Sequence, residues 1–375
     1  MLNSIKILDL SRVLAGPLST MMLGDLGADV LKIERPDSGD DTRSWGPPFD
    51  DRGQSAYYLA VNRNKKSAAL DLNSDPDKAL ILELVAGADV VVDNFKPGTL
   101  ERRKVDPAAL LAEHHNLIWC TITGFGEVSA RVGYDLVVQA ESGWMSITGD
   151  PAGDPTKVGI ALADIIAGKD ATIAILAALV RRFTSRNPVP AKDRRIHISL
   201  AHSARAALIN VAQNALVTGR DAKRWGNQHP NLVPYQLFHA ADRPMIVAVG
   251  NDSQWKSCAA ALNLTDLAQD VSVASNAGRL EHRDRIVAAV ADRLREKNAS
   301  EWIELLGKAG VPCGVVKTVL ESLAEVDASA LTGIAPSVPG SVRMAPPLLD
   351  EHGKEVRLNG WNVFRTPNRE HGARA

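Results

Sequence analysis

The 375-residue chain is short of several things at once. It has only three cysteines, Cys120, Cys258 and Cys313, far apart and with no CxxC pair. That argues against a disulfide scaffold and a structural zinc, and suits a reducing compartment. Net charge is −1, so nothing calls for a nucleic-acid partner or an anionic membrane surface. No apolar run approaches the roughly 20 residues that span a bilayer. The N-terminus runs within a few residues into a strand, with no basic segment and apolar core of a signal peptide, so a cytoplasmic protein is expected. HExxH, the P-loop and GxSxG are all missing, which leaves zinc hydrolysis, nucleotide hydrolysis and serine-hydrolase chemistry without a motif. No metal is expected.

What is present is an ordinary globular composition, 45% hydrophobic and 23% charged, long enough for a large core and two domains. Buried strands are expected at 5–10, 30–34, 68–72, 89–93 and 117–123, with helices at 17–26 and 74–87 between them. Strands alternating with helices predict a mostly parallel, doubly wound α/β sheet. Two central helices follow, 134–147 and one running from Asp164 to Leu179. A charged, proline-bearing loop at 184–195 leads to a strand at 195–200 and a helix at 201–217. The expected division is a large domain at 1–200, a linker helix at 201–224 and a smaller α/β domain at 225–325. Residues 326–375 then form an extended return to the large domain, with a loose tail from 366.

The opening strand, helix and second strand ending in Glu34 have the outline of a dinucleotide fold. The turn, however, is Ser11-Arg12-Val13-Leu14-Ala15-Gly16-Pro17, with no GxGxxG to let a pyrophosphate approach the backbone. A nicotinamide or flavin cofactor is therefore not expected.

The stretch from Gly133 to Leu179 stands apart. Its first half puts Asp135, Gln139 and Glu141 among apolar residues. Its second half places a single carboxylate, Asp164, where a short extended piece turns into an apolar helix. Ile173, Leu176, Ala177 and Val180 repeat at helical spacing, and small and aliphatic residues fill the rest, so the helix should be buried nearly all round. An Asp before such a run is by default a helix cap. The helix dipole favours its charge by about 0.3–1 kcal/mol, and by up to about 2 kcal/mol when partly buried, which would keep it ionised near neutral pH.

Gly133-Tyr134-Asp135 through Thr148-Gly149, then Lys157-Val158-Gly159 and Ala163-Asp164-Ile165-Ile166-Ala167-Gly168, resemble the central motif of the family III CoA-transferases, a superfamily that includes 2-methylacyl-CoA racemases. The likeness extends over nearly the whole chain. It runs through Ile7-Leu8-Asp9-Leu10-Ser11-Arg12-Val13-Leu14-Ala15-Gly16-Pro17, the segments 27–36, 62–67, 88–98 and 123–126, and the second-domain segments 226–231 and 247–252. It implies an interlocked homodimer and a CoA-transferase that moves CoA between an acyl-CoA thioester and a free carboxylic acid, with coenzyme A as substrate and no separate cofactor. Asp164 would be the nucleophile, passing through an aspartyl anhydride and an aspartyl-CoA thioester. Arg35, Leu70, Asn73, Asn94, Phe95, Lys96 and Arg102 would bind CoA, whose phosphates need cationic and N–H donors. Leu14, Ala15, Tyr134 and Asp135 would line the substrate pocket, and His229 is the one histidine retained as a substrate contact. The alternative is a 2-methylacyl-CoA racemase. That chemistry needs a second acid/base group. The racemase branch reads Gly-His-Asp where this chain has Gly133-Tyr134-Asp135, and tyrosine, with an ordinary pKa of about 10, is a poor base at neutral pH.

Overall fold

The computed structural model describes residues 1–365; the tail expected at 366–375 lies outside the described residues. Apolar residues alternate between two cores along the strands, as a sheet covered on both faces requires. Ile7, Val90, Val92, Ile118 and Cys120 enter one core, while Leu8, Val91 and Trp119 enter the other. The strands are β1 (Lys6–Asp9), β2 (Asp29–Glu34), β3 (Lys65–Ala69), β4 (Val90–Asp93), β5 (Ile118–Thr123) and β6 (Arg195–Ser199). They form one sheet in the order β3-β2-β1-β4-β5-β6, with every pairing parallel. The order reverses between β1 and β4. In such sheets the crevice beyond the carboxyl ends at that point is where ligands bind.

β3 begins at two lysines, not at Ala68 as the hydrophobic run suggested. Lys65 can enter the sheet because its Nζ lies 2.9 Å from Asp9 Oδ2, with both side chains fully buried. The motif around it also holds the returning C-terminal segment. Arg63 pairs with Asp25 and donates to the carbonyls of Thr332 and Ile334, and Asn64 Oδ1 accepts the N–H groups of Arg343 and Met344.

Two helices matter most for the site: α1 (Ala15–Asp25), which follows β1, and α4 (Leu162–Thr184). Between them in sequence lie α2 (Asp75–Ala86) and α3 (Asp135–Glu141). The helix expected over 134–147 is interrupted at Gly143, which is left-handed at φ 88°. α4 is not buried all round. The first half of its inner face is small, with Ala163, Ala167, Gly168 and Ala171 buried, and Ile175 and Leu179 continue it, whereas Ile173 and Val180 are 65% and 60% exposed. The small face allows close approach to α1: a Cβ added at Gly168 would stand 2.7 Å from the Ala15 carbonyl oxygen. After β6 come α5 (Leu200–Ala206) and α6 (Ile209–Thr218), the latter with no buried residue.

The chain divides into two compact units. Among the described residues, the first comprises 1–144, 158–219 and 326–365, and so takes in most of the segment read as a linker helix. The second comprises 145–157 and 220–325, so that 145–157 groups with it and not with the large domain. The second unit is a three-stranded antiparallel sheet, β7 (Tyr235–His239), β8 (Pro244–Ala248) and β9 (Cys313–Val315). Its helices include Asp252–Ala261, Arg283–Leu294 and Ala299–Lys308, around a core with Trp255, Val290 and Trp302. No helix among the described residues is long and apolar enough to cross a membrane.

Candidate active site

Beyond the carboxyl ends of β1, β4 and β5, where the strand order reverses, lies a cavity of ≈ 320 Å³. The turn after β1 supplies Arg12 to Ala15, the turn after β4 supplies Asn94 to Pro97, the end of β5 supplies Ile122 and Thr123, and Arg131, Tyr134 and Asp164 are among the other lining residues. A second cavity, ≈ 340 Å³, lies beyond β2 and β3 and is lined by Arg35, Leu70, Asn73 and Arg103 among others. Arg12, Phe95 and Lys96 line both, so the two cavities share a wall.

Asp164 sits in the first turn of α4, three residues after the N-cap, Ala161. It does not cap the helix. That bond comes from Asp135, whose Oδ1 accepts the Ala163 N–H at 2.8 Å. Gln139, fully buried, fixes Asp135 in turn: its Nε2 donates to Asp135 Oδ2 at 2.6 Å and to the Ile160 carbonyl, while its Oε1 accepts the Val158 N–H. Asp135 and Gln139, two of the three polar residues that stood out in 135–141, are therefore the support of the α4 start, whereas Glu141 pairs with Arg131.

The expectation that the helix dipole keeps Asp164 ionised is corrected by magnitude. Burial, and then the neighbouring Asp135 carboxylate, push its pKa from 3.8 up to about 7. That is worth about 4 kcal/mol at about 1.36 kcal/mol per unit, against at most about 2 kcal/mol from the dipole at a partly buried site. Tyr57 reports the same field: burial, then Asp164 and Asp135, raise its pKa to about 12. Its ring packs edge-on against Trp45 at 5.1 Å. Tyr57 lies outside every motif quoted above. The available signal was the crowding of Trp45, Phe49, Tyr57 and Tyr58 in a chain only 5% aromatic.

The structure gathers Leu14, Ala15, Asn94, Phe95, Lys96, Tyr134 and Asp164 at the first cavity, and Arg35, Leu70, Asn73, Phe95 and Lys96 at the second. Asn94 is not a free amide, because its Oδ1 accepts the Arg12 N–H at 3.0 Å and its Nδ2 donates to the Arg12 carbonyl at 2.7 Å. Asp135 stands behind Asp164 as its helix's cap and is not part of the cavity wall. Arg102 lines neither cavity and bonds Thr99 Oγ1 at 3.1 Å. The neighbouring Arg103 lines the second cavity instead and reaches Asn73 Oδ1 at 3.3 Å. Its place follows from the short helix Thr99–Arg102 ending just before it. Arg35 and Arg12 both pair with Asp41, at 2.5 and 3.0 Å. His229 belongs to the second unit, where its Nδ1 accepts the Asn231 N–H and its ring packs 5.1 Å from that of Tyr235. No group of three or more His, Cys, Asp or Glu that could hold a metal occurs among the described residues.

Comparison with known proteins adds a second line. The model of CoA-transferase family III matches residues 2–345. A succinyl-CoA:glutarate CoA-transferase of Homo sapiens is 40% identical over 327 residues, covering 86% of this chain and 73% of that protein. An acetyl-CoA:oxalate CoA-transferase of Acetobacter aceti is 36% identical over 324 residues, 85% of this chain and 82% of that one. Among solved structures, a CAIB/BAIF family protein from Brucella suis superposes with a TM-score of 0.82 at 37% identity, covering 95% of this chain and 98% of that chain.

Proposed function

Since the chain belongs to CoA-transferase family III and is a CoA-transferase, exchanging coenzyme A between an acyl-CoA and a carboxylate, we propose that Asp164 is the nucleophile of that exchange. The observation that carries this reading is the place of Asp164, on the wall of a cavity that adjoins a second, cation-lined one through Arg12, Phe95 and Lys96. Coenzyme A is long, with a phosphorylated nucleotide at one end and a thiol at the other. The second cavity, with Arg35 and Arg103, suits the phosphates. The first suits the thioester.

The ionised Asp164 attacks the thioester carbonyl, forming a C–O bond and expelling CoA thiolate. The product is a mixed anhydride of Asp164 and the acyl group. The thiolate, still held by its nucleotide, attacks the aspartyl carbonyl and expels the donor carboxylate, leaving an aspartyl-CoA thioester. An acceptor carboxylate attacks that thioester, giving a new anhydride and free thiolate. Attack of thiolate on the new acyl carbonyl releases the product and Asp164. Splitting the exchange in this way replaces one hard step with easier ones. Each tetrahedral oxyanion needs N–H donors, and the first N–H groups of α1, those of Ala15 and Gly16, have no partner within the helix. Water must be kept from the anhydride, which it would otherwise hydrolyse.

For the substrates we favour short dicarboxylates. The human relative is named for succinyl-CoA and glutarate and the Acetobacter relative for oxalate. The cations Arg12, Lys96 and Arg131 at the first cavity suit a second carboxylate. A homodimer is also proposed, supported by the exposed apolar side chains Ile173 and Val180 on α4 and Ile209, Leu216 and Val217 on α6.

The test is a screen of acyl-CoA donors against carboxylate acceptors by mass spectrometry, with hydroxylamine added to trap the acyl-enzyme. Transfer should be lost in Asp164→Asn, and the hydroxamate should map to Asp164; substantial transfer by that variant would remove the nucleophile. The racemase alternative is addressed by incubating 2-methylacyl-CoA esters in heavy water. With Tyr134 beside the nucleophile where a racemase uses histidine, no deuterium should enter at C2. Rapid entry that depends on Asp164 would favour the racemase.

A further inference from the structure

The turn between β1 and α1 carries a conformation that valine avoids. Val13 has φ 71°, in the left-handed region where a β-branched residue is an outlier. Such residues persist only where their surroundings over-determine them. At this turn the surroundings are charged and buried. The Val13 N–H donates to both oxygens of Asp40, at 3.2 and 3.2 Å. Asp40 is 1% exposed and its Oδ2 lies 3.0 Å from Lys32 Nζ, both side chains being fully buried. Thr42 holds the other oxygen through its N–H at 3.0 Å and its hydroxyl at 2.9 Å. Lys32 reaches the same turn from its other end, donating to the Ser11 carbonyl at 2.8 Å. Asn94 takes both backbone groups of Arg12 between them. Three consecutive residues are thus clamped by side chains from β2, from the loop after it and from the end of β4.

The consequence falls on the cavity. Val13, Leu14 and Ala15 line it together with Asp164. α1 starts immediately after the turn, and its N-cap, Leu14, has no side chain that can cap. The direction in which the first N–H groups of α1 point is set by the backbone at Val13. A buried ion pair is a costly way to hold a fold together, and an apolar pair of similar volume would leave the Val13 N–H without an acceptor.

We propose that Asp40, braced by Lys32, is a positioning residue for the transfer reaction: it holds Val13 left-handed and so aims the start of α1 at the carbonyl that reacts with Asp164. The inference rests on Asp164 as nucleophile.

The experiment is a double-mutant cycle on the full chain, Asp40→Asn with and without Val13→Gly, reading kcat and KM for CoA transfer, with circular dichroism to check folding. Glycine adopts the left-handed conformation without strain, so it removes the need for the clamp. In the valine background, Asp40→Asn should lower kcat by about 10- to 100-fold, the cost of a misplaced donor, and move KM for the acyl-CoA by less than about 3-fold. In the Val13→Gly background the same change should cost no more than about 2- to 3-fold. A folded Asp40→Asn with kcat near wild type overturns the proposal. So does an equal loss in both backgrounds, which is what a purely structural ion pair would give. If Asp40→Asn does not fold, hydrogen exchange of the Val13 amide in the wild type decides. Protection comparable to β1 amides supports the clamp, and exchange at the rate of an exposed loop overturns it. An Asp164→Asn enzyme that still transfers CoA would refute the nucleophile, a separate reading from the coupling of positions 40 and 13.

Discussion

Replacing Asp164 by Asn should make the protein more stable as well as inactive, and the gain should depend on pH in a defined direction. Burial and Asp135 raise the carboxyl from 3.8 to about 7 in the folded chain. Between those values the folded state holds a proton that the unfolded state has released, so stability falls as pH rises through that window. Once Asp164 is fully ionised, above about pH 7, the cost is about 3.2 units at about 1.36 kcal/mol each, a ceiling of about 4 kcal/mol. Asparagine avoids it but forgoes the attraction between a negative charge and the α4 N-terminus, about 0.3–1 kcal/mol. The net expectation is a variant about 2–4 kcal/mol more stable at pH 8, with the difference fading toward zero near pH 4. Urea unfolding at several pH values, followed by near-ultraviolet circular dichroism, measures it. In parallel, kcat/KM of the wild type should drop about tenfold per pH unit below about 7, because only the ionised form attacks. A stability difference that does not grow with pH, or a wild type more stable throughout, would refute the burial argument.

Asp135→Asn keeps an acceptor for the Ala163 N–H but removes the second cause of the Asp164 shift, so the acid limb of the pH–rate profile should move to lower pH while burial keeps it above the ordinary value. Gly168→Ala brings a methyl to 2.7 Å from the Ala15 carbonyl and should force α1 and α4 apart, costing about 1–3 kcal/mol in stability and lowering kcat; unchanged thermal unfolding would show that the helices yield. Arg35→Ala removes one arm of a half-exposed pair with Asp41, so stability should hardly change, whereas loss of a phosphate contact should weaken CoA binding by about 10- to 150-fold, read by calorimetry.

Much of the arrangement was legible because it depends on local pattern. Alternating apolar strands and helices announced the sheet, and the motifs around Asp9, Lys65 and Asp164 announced the family. The boundaries that were misjudged share a cause. β3 starts at Lys65 and not at Ala68 because Asp9, 56 residues away, neutralises the lysine inside the sheet. α4 looked buried all round because its composition is apolar, yet only one face is packed, small residues in its first half and then Ile175 and Leu179, and Ile173 and Val180 are left outside.

Periodicity and motif order are properties of the chain alone, and they suffice for a parallel α/β protein with a carboxylate at the start of an apolar helix. The environment of that carboxylate comes from packing between distant segments. Asp135 takes the capping bond, and its charge, together with burial, lifts Asp164 to about 7. Asp40 and Lys32, separated along the chain from Val13, hold that residue in a conformation its own side chain disfavours. Desolvation and long-range pairing arise when distant segments exclude water together, and no local pattern in the chain encodes them.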